Sequence, residues 1–283
     1  MKKTNRSTLI LILVFLAGLS LLLYPSVSNY WNSFHATRAI ASYSEVVDTM
    51  DSETLNRLWN DAQRYNQALP RTADRYHPTD AQHAQYEATL DVSGTGIMGT
   101  IEIPSIKVSL PIYHGVEDSV LQIAAGHIEG SSLPVGGAGT HCVLSGHRGL
   151  PSAKLFTNLD RLVEGDVFLL RVLNETLTYE VDQILIVEPE DVSALEIEEG
   201  KDYCTLVTCT PYGINTHRLL VRGHRIENAP EARLVRVTAD AVQIEPLLVA
   251  PIVALPMLLL LLILLLLPKR PKNDNGGYAD EEM

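Results

Sequence analysis

The chain has 283 residues, with 22 Lys and Arg against 34 Asp and Glu, and a formal net charge of −12 at pH 7. Its length allows one domain of about 150–200 residues with extensions at the ends. The acidic balance argues against nucleic-acid binding, which requires a basic footprint. The cysteines are Cys142, Cys204 and Cys209. Because their number is odd, disulfides within the monomer cannot use them all, and at least one thiol stays free.

Two apolar segments predict attachment to a membrane. Residues 8–24 follow three basic residues, and this segment fits either a cleaved signal peptide or an uncleaved anchor. Residues 247–267 carry no charge and are long enough to cross a bilayer as a helix. Basic residues flank the outer end of each segment, so the positive-inside rule predicts that residues 25–246 are extracellular and that the tail, 268–283, is cytoplasmic. Both termini are then cytoplasmic if the first segment is not cleaved.

Residues 25–93 are predicted to be helical, with one long loop. Between residues 29 and 69, apolar side chains recur at steps of three and four, which is typical of a helix with one apolar face. This stripe consists of Leu55, Leu58, Trp59, Ala62, Tyr65 and Leu69, and we expect it to pack on the following domain. Residues 70–91 are polar and have no sustained period, so we expect a loop with a helical piece at 80–89. Loops of this length are often functional.

Residues 94–230 change to short runs rich in Val, Ile, Leu and Thr, separated by Gly, Pro, Asp and Asn. The predicted strands cover residues 97–103, 106–113, 140–145, 166–173, 176–187, 203–209 and 217–226. Short helical pieces are predicted at 119–125, 153–162 and 191–195. Many strands with few helices predict a mainly β fold that closes into a small barrel. Residues 231–246 are a predicted linker.

Cys209 ends a β-like run and is followed by the turn sequence Thr-Pro-Tyr-Gly. A thiol at the end of a strand is held by the strand and can still be reached from the adjoining loop. A free cysteine is more often a small buried apolar residue, and we assign that interpretation to Cys142 and Cys204. Cys209 is therefore the candidate nucleophile.

His147 and Arg218 are the candidate partners of this thiol. His147 stands in the sequence Leu-Ser-Gly-His-Arg-Gly, after an apolar run. Imidazole titrates near neutrality and can raise the thiolate fraction of a neighbouring cysteine. Arg218 opens the next run after the turn, so a hairpin would return its guanidinium to the thiol, where it could bind a carbonyl oxygen that gains charge. Taken singly, a histidine in a glycine-rich turn and an arginine at a strand start are more often structural.

Together these motifs resemble the signature of the sortase family. Thr-Leu-Val-Thr-Cys, with Arg218 nine residues after the cysteine, is similar to the sortase cysteine motif, and Leu-Ser-Gly-His-Arg-Gly is similar to the histidine motif. The likeness covers residues 94–227. The chain resembles in particular the class C branch, which assembles pili in Gram-positive bacteria. This closer likeness lies in the sequence Thr-Cys-Thr-Pro-Tyr-Gly-Ile-Asn with a following His-Arg, together with a carboxy-terminal span.

The resemblance implies an eight-stranded sortase barrel that acts on a Leu-Pro-x-Thr-Gly-like sorting signal. In that family the cysteine attacks the Thr carbonyl, the Gly leaves, and an amine resolves the acyl-enzyme. In class C the amine belongs to a lysine of another pilin subunit, so pilins are the implied partners and an isopeptide bond is the implied product. The roles transferred are nucleophile for Cys209, acid and base for His147, and transition-state stabiliser for Arg218.

Class C sortases also share a lid, an Asp-Pro-aromatic motif before the barrel. In the family its Asp pairs with the catalytic Arg, and its aromatic ring contacts the Cys. The long loop of this chain contains Asp74-Arg75-Tyr76, in which Arg75 replaces the proline. The resemblance implies Asp74 and Tyr76 as lid anchors, on a backbone that lacks the fixed φ of proline.

Other functions remain open on the residues alone. Papain-like proteases place Cys before His, opposite to this chain. One alternative is a housekeeping sortase, which anchors surface proteins to the cell wall and usually has a single amino-terminal anchor. Another is a non-catalytic, membrane-tethered binding barrel, which would not need Cys209, His147 and Arg218 together. The Cys and His spacings do not match those of structural zinc sites, so we predict neither a metal nor an organic cofactor.

Overall fold

The computed structural model describes residues 6–72 and 74–228, together with six residues between 255 and 263. The chain divides into two units, which are described separately. Residues 25–242 form one unit, and residues 1–24 with 243–283 form the other.

The first apolar segment belongs to a long helix, α1 (Arg6–Asp48). Among the described residues, the stretch Leu9–Asp48 is long and apolar enough to cross a membrane, with a mean hydropathy of 2.4 over its most apolar part. The predicted second span, 247–267, lies outside the described residues except for six that are helical. The predicted linker, 231–246, and the tail, 268–283, also lie outside the described residues.

Two more helices precede the barrel, and each begins at a capping side chain. α2 (Ser52–Ala68) begins after Asp51, whose carboxylate accepts a backbone N–H of the first turn at 2.7 Å. α3 (Asp80–Ala88) begins after Thr79, which takes part in a reciprocal capping box. The caps satisfy backbone donors that have no partner inside the helix. The helical piece predicted near the end of the long loop is thus confirmed as α3.

Eight strands follow. They are β1 (Ile97–Ile103), β2 (Val108–His114), β3 (Ala125–His127), β4 (Thr140–Ser145), β5 (Val167–Val172), β6 (Glu175–Val187), β7 (Asp202–Thr210) and β8 (His217–Ile226). Every strand predicted from the sequence is present, with bounds that differ by at most two residues. β3 is the strand that the sequence did not indicate.

Of the short helices predicted inside the barrel, the first is confirmed in part and the other two predictions were wrong. At 119–125 there is one helical turn, α4 (Asp118–Leu121), and the segment ends in β3. The other two segments, 153–162 and 191–195, contain only 3₁₀ turns, at Leu159–Arg161 and Ser193–Leu195. β3 has three residues, and its ladder contacts with β2 and β4 decide its conformation. No local sequence pattern can indicate such a strand.

The sheet closes on itself in the order β1-β2-β3-β4-β7-β8-β6-β5. Neighbours are antiparallel except β2 with β3 and β4 with β7, which are parallel. A closed sheet has no free edge, and the mainly β, eight-stranded closed barrel is confirmed. Because β4 and β7 are parallel, their carboxyl ends lie side by side.

Alternation along β7 separates two apolar clusters. Cys204 and Leu206 belong to the main core. Val207 belongs to a second group, here called the outer cluster, which consists of Val143, Leu195, Val207 and Leu220. Leu195 comes from the connection between β6 and β7, residues 188–201, which therefore covers this outer face. Cys209 shares the face of Val207, because side chains two apart on a strand point the same way.

Buried polar contacts fix α2 and α3 to the barrel. Asn66 of α2 donates to the Leu133 carbonyl at 3.0 Å and accepts the Leu133 N–H at 2.7 Å. The Tyr86 hydroxyl of α3 donates to the His127 carbonyl at 3.0 Å and accepts the Gly115 N–H at 3.0 Å. Burial raises the pKa of Tyr86 well above its ordinary value, so the hydroxyl keeps its proton. Side chains of the predicted apolar stripe also contact the main core, so its packing on the barrel is confirmed.

Candidate active site

The register of β7 with β8 brings Cys209 opposite Arg218. The two are direct partners in the antiparallel ladder, next to the turn formed by residues 211–216. Directly opposed residues present their side chains on the same face, with Cβ atoms about 4.5–5.5 Å apart. The hairpin predicted from the sequence is therefore confirmed, and it sets the side chains of Arg218 and Cys209 on the same face as direct neighbours.

His147 reaches the same end of the sheet through β4. In the parallel ladder of β4 and β7, Ser145 is the partner of Val207. His147 lies two residues beyond Ser145, just as Cys209 lies two residues beyond Val207. His147 therefore follows the end of β4 at the same end of the sheet at which Cys209 lies near the end of β7.

Gly146 allows the chain before His147 to lie close to β7. Its N–H donates to the Val207 carbonyl at 3.0 Å, and its carbonyl accepts the Thr208 hydroxyl at 2.7 Å. A Cβ at position 146 would stand 2.6 Å from the ring of Phe156, which is fully buried. Any larger residue would push the ring or the backbone away, so this approach requires glycine.

In the part of the chain that the structure describes, the guanidinium of Arg218 has no carboxylate partner. Its Nη1 donates to the backbone carbonyls of Asn215 at 3.3 Å and His217 at 3.2 Å. Arg222, four residues further on, is instead held by both carboxylate oxygens of Asp182, at 3.0 and 3.2 Å. The charge of Arg218 is thus available to a developing oxyanion, whereas that of Arg222 is already paired.

The other two cysteines lie in the core, as the sequence interpretation expected. Cys142 and Cys204 are buried and free, whereas Cys209 is half-buried. They are partners in the β4–β7 ladder. Burial raises the pKa of Cys204 well above its ordinary value, so this thiol stays protonated and unreactive.

His141 holds the β6–β7 connection on the outer face. Its Nδ1 lies 2.8 Å from the Glu196 carbonyl, and its Nε2 lies 2.7 Å from the Thr205 hydroxyl. Burial lowers the pKa of His141, which keeps the ring neutral. Nδ1 then donates to the carbonyl, and Nε2 accepts from the hydroxyl. Together with Leu195, the bond to Glu196 keeps the β6–β7 connection over the outer cluster, and the bond to Thr205 fixes the ring against β7.

The Asp74-Arg75-Tyr76 sequence lies against the same connection. The Arg75 guanidinium donates to the Leu195 carbonyl at 3.3 Å and to the Glu196 carboxylate at 3.2 Å. It also stands 5.0 Å from the centre of the Tyr76 ring. Asp74 pairs with His77 at 2.7 Å, and among the described residues no ion pair joins it to Arg218. The role of Asp74 and Tyr76 as lid anchors stays a prediction.

A cavity of about 420 Å³ lies between α2, the loop that follows it and α3. Tyr65, Arg75 and Glu129 are among its lining residues, whereas Cys209 is not. The candidate chemistry is therefore located at the strand ends rather than in this cavity.

Sequence reasoning gave no role to Arg148, although it quoted this residue within the histidine motif. Arg148 is a largely buried arginine whose guanidinium contacts the end of β7. The sequence patterns also did not indicate that Thr208 and His141 fix the site. Two hydroxyl residues flank Cys209 in the sequence, and this was the available signal for contacts across the strand ends.

A half-buried thiol at a strand end, with an arginine opposite it and a histidine just beyond the end of the neighbouring strand, is the arrangement of a cysteine-dependent acyl-transfer enzyme. The family model described as "Sortase domain" matches residues 101–226. Sortase C1 from Streptococcus agalactiae is 52% identical, with a TM-score of 0.66, and the match covers 68% of this chain and 100% of that one. Sortase C from Streptococcus pneumoniae is 44% identical, with a TM-score of 0.61, covering 68% and 99%.

The chain belongs to the sortase family, whose members are cysteine transpeptidases. Among curated relatives, sortase D of Bacillus subtilis (strain 168) is 31% identical over 131 residues, which are 45% of this chain and 63% of that protein. The chain thus spans just under two thirds of that relative. The family indicated by the cysteine and histidine motifs is confirmed.

Proposed function

We propose that the protein is a class C sortase, which cleaves an LPXTG-like sorting signal of a pilin and joins it to a lysine amine of another pilin. The observation that carries this proposal is the direct ladder pairing of Cys209 with Arg218, with His147 two residues beyond the end of the neighbouring strand. In this proposal Cys209 is the nucleophile, His147 the acid and base, and Arg218 the transition-state stabiliser.

The first half-reaction forms the acyl-enzyme. The Cys209 thiolate attacks the Thr carbonyl of the sorting signal, and the guanidinium of Arg218 donates to the oxygen as it gains negative charge. The imidazolium of His147 transfers its proton to the Gly nitrogen as the C–N bond breaks. A thioester on Cys209 and a neutral His147 remain.

The second half-reaction transfers the acyl group to an amine. The lysine nitrogen attacks the thioester carbon, and Arg218 again stabilises the oxyanion. The C–S bond breaks, the neutral His147 takes the proton that the amine loses, and the thiolate of Cys209 is restored. The product is an isopeptide bond. Water in place of the amine would give a free carboxylate.

The class C assignment draws support from the relatives. The Streptococcus agalactiae protein is a sortase C1, and the structure of the Streptococcus pneumoniae enzyme bears on pilin substrate specificity. Identities of 52% and 44% extend over essentially the whole length of those two chains.

The proposal includes a lid in the predicted loop at 70–91, anchored by Asp74 and Tyr76. The contacts of Arg75 with the β6–β7 connection support it, because that connection covers the face next to Cys209. If the closed state is only modestly favoured, a few-fold shift in population exposes the thiol. Replacing Asp74 and Tyr76 together by Ala is then expected to speed thiol labelling of Cys209 and to lower the melting temperature slightly.

The control for the lid is Glu87→Ala, which removes an exposed acidic residue of α3. It is expected to leave the labelling rate of Cys209 unchanged. If the Asp74→Ala, Tyr76→Ala double variant labels at the wild-type rate, the segment is not a lid.

We also propose that the protein is anchored in the cell membrane with the barrel outside and the termini in the cytoplasm. The exposed apolar face of α1 supports an anchor, and its aromatic residues Tyr30, Trp31 and Phe34 are exposed just beyond the apolar run. Aromatic side chains of this kind are enriched where a helix leaves the bilayer. In intact cells, an impermeant thiol reagent is expected to label Cys209. Labelling that requires permeabilised cells would reverse the proposed orientation.

The deciding experiment incubates the full chain, in membranes or detergent, with a pilin that carries both a sorting signal and an acceptor lysine. Covalent ladders are expected from the wild type and none from Cys209→Ala. Cys142→Ala and Cys204→Ala are the matched controls and are expected to keep activity. Transfer to a cell-wall precursor but not to pilin lysine would favour a housekeeping sortase. The absence of any thioester in the wild type would favour a binding barrel.

A further inference from the structure

Arg148 follows His147 directly, and its guanidinium is held on several sides. Nη1 donates to the Thr210 hydroxyl at 3.2 Å, and Nη2 donates to the Asp160 carboxylate at 2.5 Å. The Tyr212 ring centre lies 5.9 Å from the guanidinium carbon. The side chain is only 9% exposed. A charged group is rarely buried to this extent unless its partners fix it.

These contacts link the residues on either side of His147 to the residues on either side of Cys209, and this set of links is here called the bracket. The residue before His147 is bonded to the residue before Cys209, because the Thr208 hydroxyl donates to the Gly146 carbonyl at 2.7 Å. The residue after His147 is bonded to the residue after Cys209, because Arg148 donates to Thr210. His147 and Cys209 are thus tied on both sides, although 62 residues separate them in the chain.

The bracket matters because β4 ends at Ser145, two residues before His147. The β4–β7 ladder does not extend to His147 itself. The His147 carbonyl accepts the Phe156 N–H at 3.1 Å, which does not join the histidine to β7. Side-chain contacts to Thr208 and Thr210 therefore add to the Gly146–Val207 backbone bond in holding this loop against the end of β7. A misplacement of a catalytic group by 1 Å can lower the rate about 100-fold.

Arg148 is not suited to bind the substrate oxyanion. Its two terminal nitrogens already donate to Thr210 and Asp160. Its Nε is buried and has no partner among the described residues. A buried donor without a partner lowers the stability of the fold. This indicates that Arg148 serves to hold its neighbours in position rather than to add stability. Arg218, by contrast, donates only to backbone carbonyls.

We propose that Arg148 is a positioning residue that fixes the distance between His147 and Cys209 by bridging the histidine loop to Thr210 and Asp160. This inference rests on the proposed function, since it needs His147 and Cys209 to act as a pair. The planar fork of arginine can reach the hydroxyl and the carboxylate at once, whereas the single nitrogen of lysine cannot hold both in the same geometry.

The test compares Thr210→Val, which removes the hydroxyl but keeps the shape, with Thr210→Ser, which keeps the hydroxyl. Arg148→Lys removes the fork and keeps the charge. Thr210→Val and Arg148→Lys are expected to lower kcat for transpeptidation about 10- to 100-fold with KM nearly unchanged. Thr210→Ser is expected to stay within about threefold of the wild type, because it preserves the bridge.

A second readout is the pH dependence of Cys209 alkylation. A neighbouring imidazolium favours the thiolate, so loosening the bridge is expected to move the alkylation midpoint to higher pH in Thr210→Val and Arg148→Lys. The matched control is Arg222→Lys, which disrupts another largely buried arginine–carboxylate pair. It is expected to lower the melting temperature while leaving kcat and the alkylation midpoint unchanged.

The outcomes separate this inference from the proposed function. If Cys209→Ala still polymerises pilin, the proposed function fails. If Cys209→Ala is inactive while Arg148→Lys and Thr210→Val keep both kcat and the alkylation midpoint, the positioning role alone is refuted. A loss of activity that matches the loss of folded protein, with an unchanged midpoint, would also refute it, because it would make Arg148 merely structural.

Discussion

Asn66 is predicted to be the main polar link between α2 and the barrel, and Asn66→Ala tests this. Asn66 is 3% exposed, and it both donates to and accepts from the backbone of Leu133, which is fully buried. In the variant the Leu133 N–H loses its partner, at a cost of about 1–3 kcal/mol. The Leu133 carbonyl still accepts the Val135 N–H at 2.8 Å, so losing its second bond costs only about 0.5–1.5 kcal/mol. The sum is about 1.5–4.5 kcal/mol.

The assay is thermal unfolding of the full chain in detergent, followed by circular dichroism and by tryptophan fluorescence. Trp59 of α2 packs against the core and reports on this helix. A loss of about 3 kcal/mol lowers the melting temperature of a domain of this size by roughly 6–12 °C. The control is Asn60→Ala, on the exposed side of the same helix, for which a change within about 0.5 kcal/mol is expected. Equal melting temperatures for the two variants would refute the reasoning.

Two further predictions concern the site itself. Arg218→Lys keeps the charge but loses the planar fork, so kcat is expected to fall by about 10²–10³. The control is Arg222→Lys, which is expected to retain activity because Arg222 is already paired with Asp182. A near-normal rate for Arg218→Lys in the pilin-ladder assay would remove Arg218 from the mechanism. Gly146→Ala puts a Cβ 2.6 Å from the buried Phe156 ring, so we expect a loss of about 1–3 kcal/mol of stability together with a lower kcat. Full activity and an unchanged melting temperature in Gly146→Ala would show that the histidine loop tolerates displacement.

The core of the candidate site could be predicted from local sequence. Cys209 ends an apolar run, and Arg218 opens the next run after a short turn. Residues this close along the chain meet whenever the runs form a hairpin, because antiparallel strands joined by a short turn pair in register. The ladder bears this out, with Cys209 directly opposite Arg218.

The sequence predicted less well wherever distant partners decide the conformation. The segment at 153–162 has a helical pattern, yet its backbone bonds to groups outside the segment. The Asn29 side chain accepts the Lys154 N–H at 2.9 Å, and the His147 carbonyl accepts the Phe156 N–H at 3.1 Å. β3 exists because two neighbouring strands complete its hydrogen bonds. Tertiary contacts of this kind override local propensity.

The sequence by itself therefore determined the chemistry: one thiol outside the core, an imidazole, a guanidinium, and alternating strands that require a barrel. Only the tertiary structure decided how these groups meet. The parallel pairing of β4 with β7 brings His147 to the same end of the sheet as Cys209, and the Gly146–Thr208 and Arg148–Thr210 bonds link the residues on either side of the two. The physical reason is that a parallel pair needs a long crossover, here the whole stretch from β4 to β7. No local pattern encodes the register across such a connection, and it is fixed only when the barrel closes.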